Sequence, residues 1–262
     1  MERLTQPTLS GKLVCCMLLF LFQCAVVVGG PFYLDGDRTA GRTICGSDDN
    51  LTMVEQNEDL KKMGLPVGSL RAYERSSGRY FICTGTLVAP DLFLTARHCK
   101  EACEDLSVTF GYLTPERKQE TFKCSEILEA GDFESNHDYM LMRLEGKPGV
   151  EWGWYPLSDR EIEPETQLMM IHHPRGTPMK VSLEGCKFKA EEEGLVRHRC
   201  DTEPGSSGTG ILLPDFTNPE NTRVVGVHAF GGCTSAETST NSGPSIHYLA
   251  TQSDLIRSLV KD

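Results

Sequence analysis

Two short segments hold the residues best suited to chemistry. One is Thr95-Ala96-Arg97-His98-Cys99, and the other is Asp201-Thr202-Glu203-Pro204-Gly205-Ser206-Ser207-Gly208-Thr209-Gly210. A serine hydroxyl attacks a carbonyl only when a base takes its proton, and an imidazole is the usual base. Small residues around Ser207 let successive backbone N–H groups turn toward one point. The N–H groups of Gly205 and Ser207 are therefore candidates to hold a developing oxyanion. Between the two segments lies Asp138, which would fix the His98 imidazole in one tautomer; Asp132 and Asp105 are the alternatives. Each motif alone has an ordinary explanation: a glycine-rich strand turn, a core histidine, a surface aspartate. Together, in this order, they describe a split acyl-transfer site.

The elements that must carry these residues read as strands. His98 follows the apolar run Leu92-Phe93-Leu94, and Asp138 opens Tyr139-Met140-Leu141-Met142-Arg143-Leu144. Similar runs recur at Leu106–Phe110, Leu168–Ile171 and Val224–Val227, separated by Gly, Pro, Asp and Asn. Short strands at this spacing predict an all-β sandwich or barrel. Leu255, Ile256 and Leu259 stand at helical spacing behind Ser253, predicting a terminal amphipathic helix from Ser253 to Val260.

Export is legible at the N-terminus. Arg3 and Lys12 precede an uncharged run, Leu13 to Val28, that ends at Gly29-Gly30-Pro31. This pattern predicts a signal peptide over residues 1–30, since the run is shorter than a bilayer span of about 20 residues and contains Gln23. Residues 31–43 are polar and rich in Gly and Arg, as expected of a pro-segment or linker, with Arg38 and Arg42 as candidate cleavage points. Eight cysteines remain beyond the leader, an even number that suits a disulfide framework in an exported chain. Cys99 and Cys103 lack a second close pair of ligands, and adjacent strand residues His172 and His173 face opposite ways, so no metal site is expected. Asn50-Leu51-Thr52 is a glycosylation sequon, placing Asn50 on the surface. The net charge is −11, and loss of Arg3, Lys12 and Glu2 with the leader would leave −12. Such a surface argues against nucleic acid and anionic membranes as partners.

Phe81-Ile82-Cys83-Thr84-Gly85-Thr86-Leu87, the segment ending in His98-Cys99, Asn136-His137-Asp138-Tyr139 through Leu144, and Gly205–Gly208 together resemble the trypsin-like (chymotrypsin-fold) serine peptidases. A Cys83–Cys99 bridge would staple the histidine to a neighbouring strand. The order His…Asp…Ser also differs from the Ser…Asp…His of α/β-hydrolases. The resemblance implies two antiparallel six-stranded β-barrels, over about residues 44–160 and from residue 161 to about 245, with the C-terminal helix closing the second. It implies a secreted, monomeric endopeptidase acting on protein or peptide substrates through His98, Asp138 and Ser207, without cofactor or metal. Cys186 and Cys200 flank an expected hairpin and would pair; the other four cysteines allow three connectivities, of which Cys103–Cys124 with Cys45–Cys233 is the expectation. Two departures stand out: Arg97 replaces the usual alanine, and Ser206 replaces the aspartate that in animal trypsins pairs with a newly made N-terminus.

A narrower resemblance is to the glutamyl endopeptidases and exfoliative toxins. It rests on Cys45–Asn50, Asp201–Gly210 and Val225-Gly226-Val227-His228-Ala229-Phe230-Gly231-Gly232. It implies that Thr202 and His228 bind the carboxylate of a glutamate preceding the cleaved bond, two donors for one anion. His228 as an ordinary core histidine is the alternative. Asp201, six residues before Ser207, instead suggests specificity for Arg or Lys if it faces the pocket. A catalytically silent homologue serving as a binding module is the reading of a different class.

Overall fold

The computed structural model describes residues 32–34, 43–99, 102–132 and 135–261. The expected signal peptide, most of the 31–43 segment, and both Arg38 and Arg42 lie outside the described residues. Among the described residues no helix is long and apolar enough to cross a membrane.

The first half is a closed barrel of six antiparallel strands. In chain order they are β3 (Val67–Glu74), β4 (Arg79–Leu87), β5 (Leu92–Thr95), β6 (Leu106–Phe110), β7 (Glu120–Ala130) and β8 (Met140–Leu144). The ring runs β4-β3-β6-β7-β8-β5 and closes by β4–β5 pairing, while β1 (Phe32–Leu34) lies parallel to β4 outside it. Strand alternation decides what fills the barrel. On β6, Leu106, Val108 and Phe110 are buried, while Ser107 and Thr109 between them are only half-buried. On β5 and β8 both faces are buried, so these strands read as continuous apolar runs. Phe93, Met140, Met142 and Leu144 point into the barrel, whereas Leu92, Leu94 and Leu141 join a second cluster with Met169, Ile171, Leu212 and Val224. That second cluster is the seam between the halves.

The second half is more fragmented than a continuous six-stranded barrel. β2 (Leu51–Met53), β10 (Lys180–Ser182) and β9 (Met170–His172) form one sheet. β11 (Phe188–Glu192), β12 (Leu195–His198) and β15 (Asn241–Pro244) form another, and β13 (Gly210–Leu213) pairs with β14 (Arg223–Val227). Single bridges such as Met169↔Leu212 and Gly226↔Ser245 join them around Leu168, Met170, Phe188, Val196, Ile211 and Val225. Strands of three to five residues cannot keep a ladder going around the whole ring. Leu51–Met53 falls inside the stretch 44–160 yet pairs with β10, so this segment belongs with the second half.

Helices occur where caps allow them. Asn57 accepts from the N–H groups of Asp59 and Leu60, starting α1 (Glu58–Gly64), and α2 (Gly149–Trp152) is a single turn. The C-terminus is two helices: α3 (Ile246–Gln252), capped by Ser245, and α4 (Asp254–Leu259), capped by Ser253. Among the described residues four disulfides are present: Cys45–Cys233, Cys83–Cys99, Cys103–Cys124 and Cys186–Cys200.

Candidate active site at the seam

β5 and β8 are antiparallel neighbours, with Thr95 opposite Met140. The chain leaving β5 and the chain entering β8 therefore emerge side by side, which brings His98 to Asp138. Asp138 is fully buried and its carboxylate is divided between two bonds. Oδ1 accepts from the His98 backbone N–H at 2.9 Å, and Oδ2 lies 2.5 Å from His98 Nδ1. A carboxylate can only accept, so Nδ1 carries the proton and Nε2 is left as the base. The two alternatives are engaged elsewhere: Asp105 pairs with Arg75 at 2.8 Å, and Asp132 accepts from the Ser135 hydroxyl at 2.9 Å.

Ser207 is brought to the same place by a residue that sequence reasoning passed over. Thr84 on β4 donates its N–H to the Ser207 carbonyl at 2.9 Å and its hydroxyl to the Gly205 carbonyl at 2.8 Å. Its own carbonyl accepts from Thr95 Oγ1, on the strand leading to His98. Thr84 thus ties the serine loop to the histidine strand. Gly208 fits beneath it only because it lacks a side chain: at φ +87°, a Cβ would lie 2.1 Å from Thr95 Oγ1 and 2.4 Å from the Thr84 carbonyl. Ahead of the serine, Pro204 O accepts from the Arg175 N–H, so the trans peptide aims the Gly205 N–H the opposite way.

Thr202 and His228 are both buried. Thr202 Oγ1 lies 2.5 Å from Thr43 Oγ1 and accepts from Asn241 Nδ2 at 3.2 Å. His228 is adjacent to the serine loop, its carbonyl accepting from the Gly208 N–H at 2.7 Å. Its Nδ1 is 3.3 Å from Nε2 of His198. His198 Nδ1 accepts from the Cys200 N–H, so its proton sits on Nε2 and is donated to His228 Nδ1. A neutral His228 then keeps its proton on Nε2, available as a donor. His198 and Asn241 carried no sequence signal, because their partners lie far along the chain.

Asp201 is turned elsewhere. Its carboxylate accepts from the backbone N–H groups of Cys45 and Asn50 at 2.8 and 2.9 Å, and burial raises its pKa above the ordinary value. Asn50 itself is half-buried on that segment. Cys83, His98 and Cys99 are the one group of possible metal ligands close together among the described residues, but the two sulfurs form a disulfide.

Three further histidines are buried and neutral. Burial pushes His172 down to about 3 and His173 to about 4, and lowers His198 well below its ordinary value. Each takes up a proton when the chain unfolds below pH 6.5, so the unfolded state binds more protons and stability falls as pH drops from about 6.5 toward 4. The loss is roughly 2 kcal/mol at pH 5 for each of His172 and His173. Urea midpoints should fall steeply between pH 7 and pH 5, and the difference should shrink in His173→Gln. An undiminished difference in that variant would contradict this assignment.

Two halves packed across a seam that carries a histidine, an aspartate and a serine make this a chymotrypsin-fold serine peptidase. Residues 44–248 match the family model described as "Lysyl endopeptidase, C-terminal domain", and the chain belongs to that family. Among curated proteins it is similar to Serine protease 23 of Rattus norvegicus, 24% identical over 185 residues, covering 55% of this chain and 47% of that protein. The chain thus matches about half the length of that relative. Among solved structures it is similar to one described as "Structure of Glu endopeptidase in complex with MPD". The TM-score is 0.59 at 19% identity, covering 80% of this chain and 99% of the other.

Proposed function

We propose that this chain is a secreted serine endopeptidase that cleaves after glutamate. His98 takes the proton of Ser207, which attacks the peptide carbonyl, and the N–H groups of Gly205 and Ser207 hold the tetrahedral oxyanion. His98 then protonates the leaving amine, and water released through the same base hydrolyses the acyl-enzyme. The observation that carries the catalytic part is the forked contact of buried Asp138 with both the ring and the backbone of His98. No step calls for a metal or cofactor.

The acidic preference is supported by the proton order from the Cys200 N–H through His198 to His228, which puts the proton of a neutral His228 on Nε2. A basic side chain would need Asp201, whose carboxylate is committed to Cys45 and Asn50. Leader removal after residue 30 and trimming near Arg42 would make the mature N-terminus Thr43, which touches Thr202. The new ammonium would then add charge to the pocket that receives the carboxylate. Asn50 would carry a glycan on the same segment.

Purified protein beginning at Thr43 should be incubated with a mixed peptide library, with Ser207→Ala as the blank. Cuts after Glu that vanish in the blank are expected. Cuts after Lys or Arg would overturn the pocket reading, and no cleavage at all would favour a silent binding module.

A further inference from the structure

Ser206, which stands where animal trypsins carry an aspartate, has a partner of its own. Its Oγ lies 2.5 Å from Nδ1 of His172 at the end of β9, and both residues are fully buried. The same Oγ accepts from the Glu203 N–H at 3.2 Å, so the Ser206 hydroxyl joins the imidazole to the backbone of the turn. The Ser206 N–H returns to the Glu203 carbonyl at 3.0 Å, closing the turn 203–206 on itself. Neighbouring residues of β9 hold the flanks: Ile171 O accepts from Thr209 Oγ1 at 2.5 Å, and the His173 N–H donates to Thr84 Oγ1 at 3.0 Å. The serine loop is therefore held from this strand directly at Ser206 and Thr209, and through Thr84 at Gly205.

His172 accepts this contact at a cost. With Nδ1 engaged by Ser206, Nε2 is buried without a hydrogen-bond partner. A buried polar atom left without a partner is unfavourable by about 1–3 kcal/mol, so its persistence calls for a reason. Burial, with His228, His173 and Lys180 nearby, also keeps the ring uncharged. A neutral partner for Ser206 does the structural work of an ion pair without any charge.

We infer that His172 is a positioning residue for the oxyanion-binding loop, holding it through Ser206 where trypsins use an ion pair between aspartate and a newly made N-terminus. The loop is then set by the fold itself, and the N-terminus is left for the specificity pocket. This rests on the reading of Ser207 as nucleophile and of the Gly205 and Ser207 N–H groups as the oxyanion hole.

The test is the rate at which a fluorophosphonate labels Ser207, since the phosphonyl oxygen must enter the hole while no substrate side chain is involved. Ser206→Ala and His172→Ala should each lower the labelling rate and kcat on a peptide substrate by about 10- to 100-fold, with KM within about twofold. The double variant should lose little more than either single one, and His172→Asn should recover part of the rate by offering an amide. Ser206→Ala removes one oxygen and decides the matter if His172→Ala fails to fold. Selective carbamylation of the N-terminus should leave labelling unchanged. Wild-type rates in Ser206→Ala, or a tenfold loss on carbamylation alone, would overturn the inference while leaving the nucleophile in place. Labelling that persists in Ser207→Ala would overturn both.

Discussion

Replacing Ser207 with alanine is expected to lower kcat by about a million-fold, with KM and the fold unchanged. The substitution deletes one oxygen from a buried residue whose backbone contacts all remain: Thr84 N–H to the Ser207 carbonyl, and the Gly208 N–H to His228. Those contacts are made by the backbone and do not use the hydroxyl, so the melting temperature should stay within a few degrees of wild type. What disappears is the nucleophile, and with it both the acyl-enzyme and any burst of first product. The oxyanion donors and bound substrate should still leave roughly 10³ to 10⁴ over the uncatalysed rate. The check is single-turnover kinetics on an activated ester, with intact mass to look for the acyl adduct. Wild-type turnover, or an adduct on the alanine variant, would place the nucleophile elsewhere.

Asp138→Asn should lower kcat by about 10⁴. The substitution is isosteric, so the buried site is not emptied. The amide oxygen can still accept from the His98 backbone N–H, but the NH₂ group then faces Nδ1, where Oδ2 stood. A donor facing Nδ1 forces the ring proton to Nε2, toward the serine, and the base is lost without any change in shape. KM should move little. The defect should be visible as a tautomer switch in the nitrogen shifts of His98, and a nitrogen spectrum like that of wild type would show that Asp138 does not set the tautomer. Asp138→Ala should lose activity too, but with destabilisation from the vacated volume and unpaired N–H groups, which separates the two effects.

Much of this arrangement is legible in the chain because its signals are local. β5 and β8 announce themselves as apolar runs, and His98 and Asp138 sit at the ends that the antiparallel pairing brings together. The rest depends on contacts between distant residues. Leu51–Met53 looks like the start of the first half, but a three-residue strand has no pattern long enough to say which sheet it will join. Asp201 falls by counting at a position that could face a pocket; the amides of Cys45 and Asn50, about 150 residues earlier, turn it away. His198 reads as any strand histidine until β12 and the end of β14 set it beside His228. The terminal helix expected behind Ser253 is present as α4, and an unexpected helix, α3, precedes it because Ser245 supplies an earlier cap. Thr84 is the least visible: one threonine in a strand of small residues, with a role that exists only once three segments meet.

All four disulfides lie within one half or the other once residues 43–53 are counted with the second. Cys83–Cys99 and Cys103–Cys124 close the first barrel, and Cys45–Cys233 and Cys186–Cys200 the second. None crosses the seam, where His98 and Asp138 face Ser207. Each half is stapled, but the join between them is held by packing and by hydrogen bonds such as those of Thr84, Gly210 N–H to Thr86 Oγ1 and Met179 N–H to the Tyr112 carbonyl. On the proposed mechanism the site would act as a strain gauge for the join: a small slip there would silence it while the disulfides of both halves stayed intact.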